Sequence, residues 1–230
     1  MVINGFLKTT LLDFPGKVAC TVFTAGCNMR CPFCHNAALV TRIDESERIP
    51  QEEIFAYLKK RKGILDGVAI TGGEPLLHAD IKDFVSRVKD MGLAVKLDTN
   101  GTFPERLAEL IRGGFIDYVA MDIKNCPERY AETTGIKNFD ISPVERSVNL
   151  LLSGGAEYEF RTTVVRQFHD EKSIEKAAKW ISGAKRYFLQ AFKDSGDLIG
   201  EKLTGYSGAE MLVLASAAKK YVPGTEIRGI

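Results

Sequence analysis

From Val18 onward the chain alternates short apolar runs with amphipathic segments. Val18–Thr24 (VACTVFT) is β-branched and apolar throughout, the pattern of a strand buried on both faces. After a loop rich in cysteine, Pro50 opens a helix with Ile54, Tyr57 and Leu58 on one face. Gly67–Ile70 predicts a second strand that runs into Gly-Gly, and Ala94–Leu97 a third. Between them Ile81, Phe84, Val85 and Val88 form the stripe of a helix that stops at Gly92. Pro104 begins a helix carrying Leu107, Leu110 and Ile111, ended by Gly113-Gly114. Ile116–Ile123, Tyr158–Val165 and Arg186–Phe192 predict strands four to six. Ser142-Pro143-Val144-Glu145 reads as a capping box for a helix striped by Val144, Val148, Leu151 and Leu152. A helix with Ile174, Ala177, Ala178 and Ile181 follows, and Ser207-Gly208-Ala209-Glu210 caps a last one ending near Tyr221.

Six βα units in succession predict a parallel sheet with right-handed crossovers. Periodicity alone leaves an open doubly wound sheet and an incomplete barrel equally open. Without repeats, low-complexity tracts or linkers, residues 1–230 read as one domain. It divides into an N-terminal segment (1–17), a βα core (18–222) and a C-terminal tail (223–230). Two connections are long, Lys124–Ile141 and Lys193–Tyr206. They read either as a partner surface or lid, or as ordinary variable loops.

Composition narrows the classes. A hydrophobic share of 45% with 27% charged residues suits a soluble globular protein. A net charge of +1 gives no electrostatic footprint for nucleic acid or an anionic membrane surface. No apolar run is long enough to span a bilayer, and the first residues do not resemble a secretory signal. Five cysteines, three of them within residues 27–34, suit a metal in a reducing compartment better than a disulfide framework, so the cytoplasm is the expected location.

Cys27, Cys31 and Cys34 have the spacing CxxxCxxC directly after the first predicted strand. Three thiolates from one loop hold three corners of a [4Fe–4S] cube and leave the fourth iron open to a ligand. The competing reading is structural zinc, which wants four ligands; His35, Cys20 or Cys126 would have to supply the fourth. Cys20 and Cys126 otherwise read as inert buried cysteines. His35, His78 and His169 make no metal set by spacing, and Trp180 reads as packing.

With Phe33 before its last cysteine, the loop resembles the fingerprint of the radical S-adenosylmethionine (SAM) superfamily. Leu12-Asp13-Phe14-Pro15-Gly16, Cys34-His35-Asn36, Gly72-Gly73-Glu74-Pro75, Leu97-Asp98-Thr99-Asn100-Gly101 and Met121-Asp122-Ile123-Lys124 look like segments of glycyl-radical-enzyme activating proteins. The chain most resembles those serving anaerobic ribonucleoside-triphosphate reductase, with pyruvate formate-lyase activases as near relatives. That resemblance implies an α/β fold, a single-domain partial (β/α)6 barrel of parallel strands. It implies a [4Fe–4S] cluster and SAM as cofactors, with reductive cleavage of SAM to a 5′-deoxyadenosyl radical. The radical would then take a hydrogen from a glycine of a partner glycyl-radical enzyme. A flavodoxin- or ferredoxin-type protein would donate the electron.

The resemblance also assigns roles. Gly72, Gly73 and Glu74 would meet the amino group of SAM, and Lys124 its carboxylate. Phe33, Asn100, Arg161 and Gln190 join the expected cofactor contacts. Asp98, Thr99 and Asp122 would hold a monovalent cation beside SAM. On residue type alone, GGEP and DTNG are also tight turns, and Lys124 a solvated lysine at a strand end. Arg161 within an apolar strand calls for an anionic partner. Two departures stand out: Lys193 replaces a histidine of the related activase, and Phe14 stands where many activases have glycine. The alternatives are a radical SAM enzyme acting on a small molecule and a non-catalytic metal-binding interaction protein.

Overall fold

The computed structural model describes residues 1–230. Eight strands form one sheet whose spatial order follows the chain: β1 (Ile3–Thr10), β2 (Ala19–Thr24), β3 (Gly67–Gly72), β4 (Ala94–Thr99), β5 (Tyr118–Asp122), β6 (Glu157–Val164), β7 (Tyr187–Ala191) and β8 (Thr225–Arg228). All six expected strands are present and parallel to one another. Two more lie outside the expected core. The N-terminal segment supplies β1, antiparallel to β2 with two register shifts, and the C-terminal tail supplies β8, parallel to β7. Neither is continuously apolar, so neither stands out by composition: β1 reads INGFLKTT and β8 TEIR.

Helices α2 (Gln51–Lys60), α3 (Ile81–Asp90), α4 (Pro104–Arg112), α6 (Ser142–Leu152) and α7 (Glu171–Trp180) match the predicted stripes, and α8 (Gly208–Lys219) the predicted last helix. Two short helices were not predicted, α1 (Ala37–Thr41) and α5 (Tyr130–Thr134). The box at Ser207 forms as expected, with Glu210 reciprocating. The box at Ser142 does not. There the helix starts at Ser142 itself, and the Asp140 carboxylate accepts from the Ser142 amide and hydroxyl (both 3.0 Å).

Alternation along the strands divides the molecule into two interiors. Cys20, Val22, Val68, Ile70, Val95, Leu97, Val119, Met121, Phe160 and Leu189 point outward and are fully buried in the core beneath the helices. The residues between them face inward, and most of those that line the single cavity there are small or polar: Thr21, Ala69, Thr71, Asp98, Asp122, Arg161, Thr163 and Gln190, with Phe23 the large apolar one. The strands are thus not apolar on both faces.

Phe14 closes the floor of this barrel. It packs on Ala19, Tyr118 and Ala94, its ring 6.3 Å from that of Tyr118. Gly67 makes room for it, since a Cβ there would lie 2.9 Å from the Phe14 ring. The glycine-to-phenylalanine departure therefore has a structural reason. Phe14→Ala should cost about 3–5 kcal/mol, the usual range for emptying a buried phenylalanine site, read by urea unfolding. A loss under about 1 kcal/mol would mean the floor collapses around the gap.

Candidate functional site

The loop between β2 and α1 carries the three cysteines, and the two long connections hold it from either side. From the first, the Arg30 amide donates to the Thr134 carbonyl (2.9 Å), and Gly135 sits so close that a Cβ would lie 2.4 Å from the Arg30 carbonyl oxygen. From the second, the Gly200 amide donates to the Pro32 carbonyl (2.7 Å), while Asp197 pairs with Arg42. Phe33 is buried under the loop against Phe168 (5.8 Å between centroids) and His169 (6.2 Å). Both long connections therefore act as clamps.

The Gly72-Gly73 turn meets the cysteine loop backbone to backbone. Gly73 and Glu74 amides donate to the carbonyls of Thr24 and Gly26 (both 2.8 Å). A Cβ on Gly73 would lie 1.9 Å from the Gly26 carbonyl oxygen, and one on Gly72, at φ +112°, 2.4 Å from that of Thr24. The glycines are required by this close approach of protein to protein, although both also line the cavity.

Glu74 has a different place from the expected one. It is fully buried, does not line the cavity, and accepts from the Leu76 amide (3.0 Å), the Thr99 hydroxyl (2.8 Å) and the Asn100 amide (2.6 Å). It therefore ties GGEP to DTNG. Asn100 in turn reaches back to Asn28 (2.9 Å).

Cys27, Cys31, Cys34, Phe33, Gly72, Gly73, Asp98, Thr99, Asn100, Asp122, Lys124, Arg161 and Gln190 all line one cavity of about 420 Å³ at the carboxyl ends of the strands. Cys20 and Cys126 are buried elsewhere. The chemistry of this donor set fits an iron–sulfur cluster: three thiols share one cavity with no fourth cysteine. No three His, Cys, Asp or Glu side chains converge as a single ion would need. Burial pushes the thiols up, Cys31 to about 12. His35, which makes no metal set with the other histidines by spacing, lines the same cavity and stacks on Phe192 (5.7 Å). Its signal was adjacency to Cys34. His169 instead holds the Lys124 carbonyl (2.8 Å).

A ladder of alternating charge runs up the inside of the barrel to the cavity wall. Lys96 pairs with Asp98. The Arg161 guanidinium donates to Asp98 (3.1 Å) and Asp122 (3.0 Å), and Lys124 donates to Asp122 (3.0 Å). Burial opposes ionisation of Asp122, but Arg161 and Lys124 outweigh it and hold the carboxyl at about 2. Burial likewise opposes charge on Lys124 and Arg161, and the aspartates outweigh it, so both pKa values lie above the ordinary. The expected cation site does not fit this arrangement. Each oxygen of Asp98 and Asp122 already meets a cationic side chain, and the Thr99 hydroxyl is given to Glu74. Lys96 was missed in the sequence, although a lysine inside AVKLDT carries the same signal as Arg161.

Burial raises the Glu74 carboxyl from 4.5 to about 7. The protonated form is therefore favoured by folding, and its stabilisation is complete below pH 4.5 and lost as pH rises through about 7. Stability from this group should fall by on the order of 3 kcal/mol across that window, and Glu74→Gln should flatten the slope. Chemical unfolding at several pH values reads the difference; an unchanged slope in the variant would contradict it.

Comparison with known proteins bears on this arrangement. The profile of the radical SAM superfamily matches residues 21–181. A Methanocaldococcus jannaschii protein, named provisionally as a glycyl-radical enzyme activating enzyme, is 34% identical over 239 aligned positions, covering 100% of this chain and 96% of its own. Streptococcus suis SuiB, solved with S-adenosylmethionine, superposes with a TM-score of 0.72 at 16% identity, over 90% of this chain and 49% of SuiB. A domain of a pyruvate-formate lyase-activating enzyme from Bacteroides vulgatus superposes with a TM-score of 0.58 at 19% identity, over 71% of this chain and 99% of that domain. At such identities the superpositions speak to the fold, a partial barrel in each case. With its cysteine loop, its strand-end cavity and most of its length matched, the chain belongs to the radical SAM superfamily, whose cofactors are a [4Fe–4S] cluster and SAM.

Proposed function

We propose that this chain activates a glycyl-radical enzyme, with anaerobic ribonucleoside-triphosphate reductase as the partner. One observation carries the reading: three thiols from a single loop face the same cavity as the ion-paired rim of the strands. The full-length similarity to the Methanocaldococcus protein supports the activase class. Resemblance at GGEP, DTNG and MDIK supports the activase class too, and the overall resemblance to activators of anaerobic ribonucleoside-triphosphate reductase supports the choice of partner.

Cys27, Cys31 and Cys34 would hold the cluster. Lys124 has two ammonium donors beyond the one given to Asp122, enough for the carboxylate of SAM. Gly72 and Gly73 offer backbone to its amino end, and Gln190 and Asn100 complete the wall. When bound, the cluster would supply the electron for reductive cleavage of SAM to a 5′-deoxyadenosyl radical, the species that would remove the hydrogen from the glycine Cα. The protein's own work is to orient SAM, to neutralise its carboxylate and to exclude water. A flavodoxin- or ferredoxin-type donor would reduce the cluster. The cytoplasm would suit five unpaired cysteines, and no helix is long and apolar enough to cross a membrane.

Anaerobic incubation with SAM, a reductant and a peptide carrying a deuterated glycine should move deuterium into 5′-deoxyadenosine. SAM cleavage without transfer from any candidate glycine loop would favour a small-molecule substrate, and no cleavage at all a non-catalytic metal protein. Cys31→Ala should abolish cleavage and lower the iron content after reconstitution. Lys124→Met should weaken SAM binding by about 30-fold or more, roughly 2 kcal/mol, measured by equilibrium dialysis.

A further inference from the structure

The charge ladder contains one more cation than a SAM site needs for binding a carboxylate. Lys96 does not line the cavity; it lies lower in the barrel on β4, with its side chain 4% exposed. Its ammonium has a single hydrogen-bond partner, Asp98. The two residues are i and i+2 on one strand, so their side chains share the inward face. A lysine this buried is unfavourable unless its charge is matched, and Asp98 provides the match.

We propose that Lys96 is a built-in counter-ion that fills the role of an inorganic monovalent cation beside Asp98, so that SAM binding by this chain needs no such ion. The inference rests on the proposed SAM site. Asp98 and Asp122 share a single guanidinium, that of Arg161. Arg161 and Lys124 by themselves would only balance the two carboxylates and leave no net positive charge for the carboxylate of SAM. Lys96 supplies a third positive charge, so that Lys124, which faces the cavity, is in excess. The neighbouring inward carboxylate, Glu159, is fully engaged by Arg228 (2.7 and 2.9 Å) and by the Tyr118 hydroxyl (2.8 Å), so it does not compete for Lys96. A tethered ammonium is always present at the site, whereas an inorganic ion must be bound from solution at the cost of its hydration.

The test compares potassium chloride with choline chloride at equal ionic strength, using anaerobically reconstituted protein. Wild-type melting temperature should differ by less than about 1 °C between the salts, and Lys96→Met should be stabilised by potassium by about 2–4 °C. SAM affinity should follow: equal in both salts for the wild type, and for Lys96→Met at least about tenfold weaker in choline than in potassium. Lys96→Arg, which keeps the charge, should behave as the wild type. A potassium-specific rise in wild-type melting temperature overturns the proposal, as does a folded Lys96→Met with no potassium dependence in either readout. If Lys96→Met fails to fold, the wild-type and Lys96→Arg comparisons decide it. The melting comparison contains no SAM, so its outcome is independent of the cofactor assignment.

Discussion

Everything at the site depends on how closely the cysteine loop approaches the turn after β3. Two amide-to-carbonyl bonds of 2.8 Å join Gly73 and Glu74 to Thr24 and Gly26, and the space beside them admits no side-chain carbon. From this contact the order spreads outward. Glu74 continues it to the turn after β4 through three accepted hydrogen bonds, and Asn100 returns it to Asn28 in the cysteine loop. Three consecutive strand ends are thereby closed into a ring of short bonds around the cavity. Buried hydrogen bonds of this kind contribute only about 1 kcal/mol each in net stability, yet each is expensive to leave unmade. That asymmetry is what gives the ring its rigidity.

A second constraint is charge within a confined space. Parallel barrels usually fill their interiors with apolar layers. Here the lower floor is apolar, formed by Phe14, Ala19, Ala94 and Tyr118, but the layers above it carry Lys96, Asp98, Asp122, Glu159 and Arg161. These groups are tolerable because each is paired, and breaking one pair would leave a buried charge uncompensated. The polar interior is therefore a set of fixed, mutually paired charges, of which Asp98, Asp122 and Arg161 line the cavity.

The sequence was most legible where one residue type has one physical use. The cysteine spacing, the buried apolar stripes of the helices and the Ser207 box all reappear in the structure. It was least legible where a residue serves the protein rather than the ligand. Glu74 looks like a ligand contact in a motif, but its carboxylate is spent on backbone amides and a hydroxyl, while the glycines beside it combine clearance for the cysteine loop with a place in the cavity lining. Strands β1 and β8 escaped notice because edge strands do not need continuous apolar runs. Lys96 inside AVKLDT signals a buried charge just as Arg161 does, but the sequence does not reveal that the two strands bring both cations to the same carboxylate, Asp98.

The spatial order of the strands is the order of the chain, and this has a consequence for biogenesis. Each strand from β2 onward finds its partner already synthesised, so the sheet can grow in one direction without waiting for distant segments. The cysteine loop is made early, at residues 27–34, but one of its two clamps, through Asp197 and Gly200, comes only near the end of the chain. The contacts of Gly200 with Pro32 and of Asp197 with Arg42 therefore form only after the strands β1 to β7 have been made.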